Sequence, residues 1–579
     1  MYTSERNIQI VISLLKAHKI KRIIASPGSL NYSFLASVQN DPDFEIYSCP
    51  DERSAAYMAC GMASETGQPI ALSCTVATAS RDYMPGLTEA YYRKLPILAI
   101  TSTSTRQLAG QLIGQQIDRS SRPKDLVVES VYLPSVKDKR DALYCVREAN
   151  KAMLALFKNG GGPVHIDLGC CSMGPFKVEE LPQTRVIKRY THLDQLPEIQ
   201  HERVAIMLGV HKRMDSELTA AIDRFCATYD AIVLCVNPKS YIGKYAANAG
   251  LLFSQDGYNT PLNNMDLCIH IGEVNTDAIG FTIKPKEVWR VNEDGEIKDR
   301  YDVLTNVFYM SELEFFNFYA KDGNQKDSQL KEFQKEDAAL REKIPELPFS
   351  NAWIAQVLAP KIPTDSEMYL GILNSLRVWD YAQPSERLYT NANTGGYGID
   401  GCISSMVGAS IVSPDKEFYG IFGDLAFFYD MNVLGNRHVG KNLHIMLVNN
   451  DGGQQFRNFD HPAHNMNGEE DLFVAAAGHN GPKSPVLVRH YTEDLGFKYY
   501  AVTNKEDFLN VIPKFLQKGS SVVVEVFTNN KEEREALSVL RNLSPSGKNL
   551  KSKVKGMIIE GLGSEKVSAI KTLLGHKNN

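Results

Sequence analysis

The sequence offers little of what marks a disulfide-built or metal-finger protein. It has ten cysteines in 579 residues, but none of them forms a CxxC pair or shows metal-finger spacing. Cys170 and Cys171 are adjacent, and the other cysteines are scattered among apolar neighbours, which is typical of small buried hydrophobic residues. This pattern favours a reducing compartment, and we expect a cytoplasmic protein.

Long apolar runs and a strong net charge are also missing. No stretch reaches the roughly 18 apolar residues that a membrane-spanning helix needs. The N-terminal segment does not combine a basic region with an apolar core, as a secretory signal does. The formal net charge of -5 is too mild to indicate a general affinity for nucleic acid or anionic membranes. We therefore expect neither secretion nor membrane insertion, and no nucleic-acid partner.

Short apolar runs alternate with helical patterns along most of the chain. In the first block the runs RIIAS, FEIYSC, PIALSC, PILAIT and GPVHIDLG are separated by helical patterns, the first of which contains Ile8, Val11, Leu14 and Leu15. Such alternation predicts parallel sheets with helices on both faces. Because 579 residues are too many for one core, several domains are expected.

The sequence therefore predicts an α/β protein with three consecutive doubly wound parallel-sheet domains. Their predicted bounds are 1–185, 200–345 and 350–535, and a short helical tail follows over 543–579. The polar segment LPQTRVIKRYTHLDQLPEIQ, which follows the first block, is interpreted as a linker. The middle block shows strands but few convergent polar residues, so it is interpreted as mainly architectural. The Lys-rich tail is interpreted as a solvated helical appendage, with a partner-binding tail as the alternative.

Two predicted strands of the third block end in small polar residues. FYGIF runs into Gly423 and Asp424, and LHIMLV runs into a segment that contains Asn450 and Gly452. In an open parallel sheet, ligands bind outside the carboxyl ends of the strands. A carboxylate, an amide oxygen and a backbone carbonyl are hard oxygen ligands that suit Mg²⁺, which phosphate oxygens and water complete. Taken singly, Asp424 is also typical of a helix N-cap and Asn450 of a turn.

Glycine-rich turns near these strand ends suit a diphosphate group. Gly423 lets the backbone approach such a group closely, and NTGGYGIDG at residues 393–401 precedes a helical pattern. Turns of this kind direct backbone N–H groups at phosphate. Together with the separation of 26 residues between Asp424 and Asn450, they indicate a site for Mg²⁺ and a diphosphate.

A Gly-Asp pair followed by some 25 residues and Asn-Asn resembles the thiamine diphosphate motif of the pyruvate decarboxylase and acetolactate synthase superfamily. The segments SPGS, DERSAAYMACGMA, GIDGCISSMVGAS, GDLAFFYDMN and VNNDGGQQF look most like those of its menaquinone-pathway family, the 2-succinyl-5-enolpyruvyl-6-hydroxy-3-cyclohexene-1-carboxylate synthases. The resemblance covers most of the chain and implies the domain order pyrimidine-binding, central and diphosphate-binding. It also implies thiamine diphosphate and Mg²⁺ as cofactors.

The resemblance implies roles for individual residues of the third block. Mg²⁺ would be held by Asp424, Asn450 and the carbonyl of Gly452. The residues implied to contact the cofactor itself are Ser375 and the backbone of Gly423, Asp424, Leu425 and Ala426 around the diphosphate, Ile399 as the apolar residue that props the cofactor into its bent form, and Phe456 beside the pyrimidine.

Glu52 matches the glutamate that activates the cofactor in this superfamily. It follows FEIYSC and opens a helix of small residues, and the family's glutamate hydrogen-bonds N1′ of the aminopyrimidine and shares a proton with it. Taken alone, Glu52 is also typical of an acidic residue at a helix N-terminus or of an ion pair with Arg53. Gln116 resembles the family's active-site glutamine, although the adjacent Gln115 leaves the register open.

The resemblance further implies that two chains build each active site. Glu52 comes from the first domain and the Mg²⁺ ligands from the third, and in this superfamily they meet at a homodimer interface. We therefore expect a homodimer or a dimer of dimers, and we expect a monomer to be inactive.

Three positions depart from the motifs of the menaquinone-pathway family. Leu30, Trp379 and Thr394 stand where that family has arginines. Arginine is suited to bidentate recognition of carboxylates, which none of these residues can provide. Arg377 and Arg106 are candidates to restore one carboxylate contact each, with a surface role as the alternative.

These observations predict a thiamine diphosphate-dependent carboligase. We expect it to decarboxylate a 2-oxo acid and to transfer the acyl carbanion to an acceptor other than isochorismate. The alternatives are a 2-oxo acid decarboxylase that releases an aldehyde and a non-catalytic paralogue that binds the cofactor. The sequence leaves open which donor and acceptor react, whether two or four chains assemble, and whether Arg457, His461 or His464 contacts the substrate.

Overall fold

Parallel sheets flanked by helices form both units of the chain in the computed structural model. The first unit comprises residues 1–196 and 294–309, and the second begins at residue 197 and resumes at residue 310. The described residues are 1–104, 106–170, 174–274, 282–385, 387–466, 468–478 and 484–544. The predicted helical tail therefore falls almost entirely outside the described residues. The bounds of the three predicted domains stay a prediction.

A six-stranded parallel sheet organises the first unit. The strands of residues 1–196 are β1 (Tyr2–Thr3), β2 (Arg22–Ala25), β3 (Glu45–Ser48), β4 (Ile70–Cys74), β5 (Ile97–Thr103), β6 (Glu129–Leu133), β7 (Val164–Gly169), β8 (Phe176–Val178) and β9 (Lys188–Tyr190). The sheet has the order β3-β2-β4-β5-β7-β6 with every pair parallel. β1 pairs with β8 in antiparallel fashion. The five apolar runs of the first block are therefore confirmed as strands.

Helices cover both faces of this sheet. They are α1 (Arg6–Ala17), α2 (Tyr32–Val38), α3 (Glu52–Thr66), α4 (Thr78–Asp82), α5 (Met84–Arg93) and α6 (Lys139–Ala155). α1 and α6 bury their apolar residues in one core cluster, and α3 and α5 bury theirs in another. Small residues let α3 and α5 approach closely, since a Cβ added at Gly86 would lie 2.5 Å from the Cβ of Ala56. The helix of small residues predicted after FEIYSC is thus confirmed as α3.

A parallel sheet also forms in residues 197–293 of the second unit. Its strands are β10 (Val204–Leu208), β11 (Ile232–Cys235), β12 (Ala246–Asn248), β13 (Leu267–Ile271) and β14 (Glu287–Val291), and its helices are α7 (Ser216–Tyr229) and α8 (Gly250–Phe253). Within the unit the strands lie in the order β12-β11-β10-β13-β14. Polar side chains gather at the carboxyl ends of β10, β13 and β14, among them His211, Glu273 and Asn292. The sequence interpretation missed this convergence because these residues come from separate loops.

The segment interpreted as a linker contains a strand of the first unit. β9 pairs in parallel with β15 (Leu304–Phe308). Arg185 donates to the carbonyl of Leu304 at 3.0 Å and forms an ion pair with Asp299 at 2.7 Å. The linker interpretation was wrong for these residues, because a strand of three residues is too short to leave a recognisable period in a polar sequence.

A second six-stranded parallel sheet lies further along the second unit. Its strands are β16 (Glu367–Leu370), β17 (Tyr389–Asn391), β18 (Phe418–Gly423), β19 (Leu443–Asn449), β20 (Lys498–Val502) and β21 (Val522–Phe527). Their order is β17-β16-β18-β19-β21-β20, again with every pair parallel. Numbered from its own first strand, this order equals that of the sheet of the first unit. The two six-stranded sheets therefore share one topology.

The remaining helices belong to the second unit. They are α9 (Glu312–Tyr319), α10 (Ser328–Arg341), α11 (Asn351–Leu358), α12 (Asn374–Trp379), α13 (Cys402–Val412), α14 (Asp424–Asp430), α15 (Gln454–Arg457), α16 (Leu487–Asp494), α17 (Lys505–Phe515) and α18 (Asn530–Arg541). Within the described ranges, no helix has both the length and the apolar character needed to cross a bilayer. All nine described cysteines are buried, as their apolar neighbours predicted.

Candidate functional site

The chain reverses its direction across the second six-stranded sheet between β16 and β18. From β16 it moves outward to β17 and returns on the other side of β16 to β18. In open α/β sheets, ligands bind at such a point, outside the carboxyl ends of the strands. A cleft with a volume of about 110 Å³ lies there. The segments that follow β16, β18 and β19 line it.

All of the residues predicted in the third block line this one cleft. They are Ser375 after β16, Ile399 ahead of α13, Gly423, Asp424, Leu425 and Ala426 after β18, and Asn450, Gly452 and Phe456 after β19. Of the glycine-rich segment 393–401, only Ile399 is among the lining residues. The structure therefore brings together the two strand ends that the sequence singled out, whereas the glycines of that segment do not line the cleft.

The Asp424 carboxylate accepts hydrogen bonds from three backbone N–H groups in this cleft. Asp424 is 4% exposed, and its Oδ1 accepts a hydrogen bond from the N–H of Leu425 at 2.7 Å. Its Oδ2 accepts from the N–H groups of Asn450 at 3.1 Å and Gly452 at 2.9 Å. Burial raises the pKa of Asp424, while these backbone N–H groups and Arg457 lower it. A cation beside this buried carboxylate would favour its ionised form.

Asn450 presents an unsatisfied acceptor in the same cleft. Its Oδ1 is buried and has no hydrogen-bond partner among the described residues. Buried side-chain oxygens in proteins nearly always have a partner, and one without a partner calls for an ion, a water or a ligand. Gln454, which also lines the cleft, has a second such acceptor in its Oε1. These oxygens therefore fit a cation and a polar ligand that the cleft would hold.

A buried arginine fixes the turn that follows Asn450. The Arg457 guanidinium donates from Nη1 to the carbonyl of Asn450 at 2.9 Å, from Nη2 to that of Asp451 at 2.8 Å, and from Nε to Asp471 at 2.6 Å. Gly452 has a φ of +138°, and a Cβ there would lie 2.7 Å from the carbonyl oxygen of Ala475. Only glycine fits this backbone position. Arg457, left open as a substrate contact, is thus engaged with the turn.

Ser375 is positioned by a chain of hydrogen bonds that the sequence did not predict. Asn351, the first residue of α11, donates from Nδ2 to Ser375 Oγ at 3.2 Å. Its Oδ1 accepts from Trp379 Nε1 at 2.9 Å, and its N–H donates to Glu533 at 2.9 Å. Leu373, which leads into Ser375, has a φ of +67°, which is uncommon for a residue other than glycine. No local sequence pattern marks Asn351, because it lies 24 residues before Ser375.

The residues predicted in the first block lie in the first unit. Glu52 is the first residue of α3, directly after the N-cap Asp51, whose side chain accepts from the N–H of Ser54 at 3.1 Å. The Glu52 side chain is half-buried, and so is the Gln116 side chain. Gln116 lies outside regular secondary structure, and its N–H donates to the carbonyl of Ile113. The adjacent Gln115 is exposed with a φ of +64°.

The three positions without arginine have apolar or buried side chains. Trp379 is 2% exposed and Thr394 is buried as well, and neither side chain carries a charge. Leu30 is half-buried, and its N–H donates to Thr75 Oγ1 at 3.3 Å. Arg377 donates from Nη1 to Gln455 at 2.7 Å and lines a pocket next to the cleft.

The loop histidines make local contacts. The ring of His461 packs edge-on against Phe456 with 5.1 Å between centroids, and its Nδ1 accepts from the N–H of Ala463 at 3.1 Å. His464 Nδ1 lies 3.4 Å from Arg534 Nη1. In the part of the chain that the structure describes, no three His, Cys, Asp or Glu side chains cluster so as to hold a metal ion. The oxygen set around Asp424 does not need such a cluster, since it combines a carboxylate with amide and carbonyl oxygens.

Comparison with protein-family models agrees with this geometry. Residues 7–121 match the thiamine pyrophosphate enzyme N-terminal TPP binding domain, and residues 374–526 match the C-terminal TPP binding domain of the same enzymes. The second match begins one residue before Ser375 and includes both strand ends of the cleft. The chain belongs to the thiamine pyrophosphate (thiamine diphosphate) enzyme family.

Curated relatives extend the similarity over nearly the whole chain. A 2-succinyl-5-enolpyruvyl-6-hydroxy-3-cyclohexene-1-carboxylate synthase of Bacteroides thetaiotaomicron is 30% identical over 92% of this chain and 98% of its own length. The synthase of the same name from Bacteroides fragilis is 29% identical over 92% and 98%, and that from Desulfotalea psychrophila 27% identical over 83% and 91%. The resemblance inferred from the motifs is therefore confirmed.

Proposed function

We propose that the protein is a thiamine diphosphate- and Mg²⁺-dependent carboligase that decarboxylates a 2-oxo acid and transfers the acyl unit to an acceptor other than isochorismate. The observation that carries the proposal is the buried Asn450 Oδ1, which has no hydrogen-bond partner in the described part of the chain and lies next to a buried carboxylate at a strand switch point. Family membership supports thiamine diphosphate as the cofactor, and the unpaired position of Asn450 Oδ1 among the described residues supports Mg²⁺ as the metal.

The cleft residues divide into a metal side and a diphosphate side. Asp424, Asn450 and the carbonyl of Gly452 supply three hard oxygens to Mg²⁺. Ser375 and the backbone from Gly423 to Ala426 receive the diphosphate, Ile399 supports the thiazolium ring, and Phe456 flanks the pyrimidine. When bound, thiamine diphosphate supplies an acidic carbon that adds to the carbonyl of a 2-oxo acid and accepts the electron pair released with CO₂.

Glu52 has the task of holding a proton at the pyrimidine nitrogen, and Gln116 that of orienting the substrate. Both lie in the first unit, so we propose a homodimer or dimer of dimers in which Glu52 of one chain serves the cleft of its partner. Exposed tyrosine and methionine side chains support this assembly, since both residue types are enriched at protein interfaces. Two of them, Tyr57 and Met58, are on α3 with Glu52.

The acceptor is proposed from the three positions without arginine. The named relatives are synthases of a carboxylate product, and a buried carboxylate is best recognised by arginine. Leu30, Trp379 and Thr394 cannot make that contact. We therefore propose an acceptor with fewer carboxylates than isochorismate, such as an enone, an aldehyde or a keto sugar. We place the reaction in the cytoplasm because of the cysteine content.

The proposal is tested by incubating the purified protein with thiamine diphosphate, Mg²⁺ and a panel of 2-oxo acids, with and without candidate acceptors. We expect CO₂ release together with a ligated product whose mass equals the acceptor plus the decarboxylated donor. Free aldehyde as the sole product in every combination would identify a decarboxylase. If isochorismate proved the preferred acceptor, the argument from the missing arginines would be wrong.

A further inference from the structure

A second cavity lies in the first unit, between the sheet and α5. Ala99 and Thr101 on β5 and His165 on β7 form its floor, Met84 and Leu87 on α5 cover it, and the segment after Asp118 closes one side. The cavity has a volume of about 40 Å³, whereas one water needs roughly 10–15 Å³ of such space. A group of a few heavy atoms therefore fits.

Arg119 brings an unused donor to this cavity. Its side chain is 8% exposed, and its Nη2 donates to Asp167 Oδ1 at 2.6 Å and to the carbonyl of Ser102 at 3.0 Å. Its Nη1 is buried and has no hydrogen-bond partner among the described residues. Since a buried guanidinium donor without an acceptor is costly, this nitrogen indicates an acceptor other than the described residues, such as a bound anion.

Positive charge exceeds negative charge around the cavity. Arg81 and Arg122 line it together with Arg119, and Arg106 lies behind, 3.6 Å from Asp167. Asp167 is the buried carboxylate that Arg119 and Arg106 share. A further carboxylate, Asp118, is exposed, and Arg81 donates to its backbone carbonyl at 2.9 Å. Among the described residues, the cavity is thus lined by three arginines and by no Asp or Glu.

The histidine in the floor does not change this balance. His165 Nε2 lies 2.7 Å from Thr101 Oγ1, and its Nδ1 lies 3.0 Å from Ser130 Oγ. Burial, with smaller contributions from Arg119, Arg122 and Arg106, lowers the pKa of His165 to about 3. The ring is therefore neutral at physiological pH and adds no charge to the cavity.

We propose that this cavity binds a small oxyanion, a carboxylate or phosphate group, between Arg119 Nη1, Arg81 and Arg122. The planar fork of Arg119 would bridge Asp167 on one side and the anion on the other, a geometry that lysine cannot reproduce. None of these residues lines the cleft around Asp424. The site is therefore distinct from the diphosphate cradle of the proposed function and does not depend on it.

The test measures binding of inorganic phosphate to the full-length protein by titration calorimetry and by the shift in unfolding temperature. Thiamine diphosphate and Mg²⁺ are kept saturating so that the diphosphate cradle is filled, and chloride keeps the ionic strength constant. Arg122→Gln removes one exposed donor, and Arg119→Lys keeps the charge beside Asp167 but not the fork. Arg140→Gln, an exposed arginine on α6 of the same unit, is the matched control.

We expect phosphate to bind and to raise the unfolding temperature of the parent and of Arg140→Gln. Arg122→Gln and Arg119→Lys are each expected to weaken phosphate binding roughly tenfold, the effect of losing one hydrogen bond to a charged group. Competition by acetate would show that the site accepts carboxylates as well as phosphate, and its failure would assign the site to phosphate. Absence of phosphate binding, or equal affinities for Arg122→Gln and Arg140→Gln, would overturn the proposal. Unfolding temperatures without phosphate show whether Arg119→Lys is folded.

Discussion

The Arg457 guanidinium donates to the carbonyl of Asn450 at 2.9 Å. A buried arginine therefore holds the backbone of Asn450 in place. The side-chain oxygen of the same residue, Asn450 Oδ1, has no partner among the described residues. Groups that hold metal ligands in place affect metal affinity by about 10- to 100-fold when they are removed. We expect Arg457→Lys, which lacks the planar fork that spans both carbonyls and Asp471, to weaken Mg²⁺ binding by about that factor.

This prediction is checked by titrating Mg²⁺ into the protein with thiamine diphosphate present. Arg489→Lys is the matched control, because Arg489 is exposed on α16 and its guanidinium donates to Glu493, one turn away. An unchanged Mg²⁺ affinity in a folded Arg457→Lys variant would show that the turn does not need its guanidinium.

Asn450→Ala separates a ligand role from a structural role. Because Asn450 Oδ1 has no partner among the described residues, its removal should cost the ligand-free protein less than about 0.5 kcal/mol, or even stabilise it. With cofactor and Mg²⁺ the same variant should lose most of the stabilisation that the parent gains. Thermal unfolding with and without both ligands measures the difference. A large loss of stability in the ligand-free protein would contradict the ligand role.

Trp379→Phe tests the chain of hydrogen bonds that positions Ser375. The change removes the donor to Asn351 Oδ1 and leaves that buried oxygen unsatisfied, which costs about 1–3 kcal/mol in the free energy of unfolding. It should also raise the concentration of thiamine diphosphate needed for half-saturation. Trp353→Phe is the control, since Trp353 Nε1 donates to Glu346, whose side chain is 77% exposed and also pairs with Lys505, so the change leaves no buried acceptor unsatisfied. Equal effects of the two variants on cofactor affinity would rule out the positioning role.

Glu533 makes the stability of the protein depend on pH. Burial raises its pKa from 4.5 to about 7. As the pH rises from 4.5 to 7, the unfolded chain releases this proton before the folded one does. The free energy of unfolding should therefore fall by about 3 kcal/mol across that range. Glu533→Gln keeps an acceptor for Asn351 and Thr528 and should flatten this part of the profile.

Urea unfolding at a series of pH values between 4.5 and 8 checks this expectation. Glu535→Gln, at an exposed position of α18, should retain the slope of the parent. Other buried carboxyls with raised pKa values, such as Asp380 and Asp424, contribute slopes of the same sign. The difference between the two variants isolates Glu533, and parallel profiles would contradict the prediction.

Glu52→Gln tests the catalytic assignment directly. We expect the rate of proton exchange at the reactive carbon of bound thiamine diphosphate to fall by about 10²- to 10⁴-fold, the usual contribution of a positioned acid or base. Exchange is followed by NMR after transfer into deuterated buffer. Glu65→Gln, an exposed glutamate at the other end of α3, should exchange like the parent. If Glu52→Gln exchanges at the parent rate, the protein is not the proposed catalyst.

The strand ends at Asp424 and Asn450 were predictable from sequence. Buried parallel strands appear as short apolar runs, and their carboxyl ends share one edge of the sheet, so two polar strand ends of neighbouring strands must lie close together. The same logic identified α3 and the position of Glu52 at its start. Cysteines among apolar neighbours were likewise correctly predicted to be buried.

The sequence by itself thus determined the α/β class and the residues at the strand ends, because periodicity and strand termini are local properties of the chain. Only the tertiary structure decided how these residues are held. Asn351 reaches Ser375 and Trp379 from a separate helix, Arg457 closes the turn after Asn450, and residues 188–190 pair with a strand more than a hundred residues later. Such partners are chosen by packing between distant segments, which leaves no period and no spacing in the sequence.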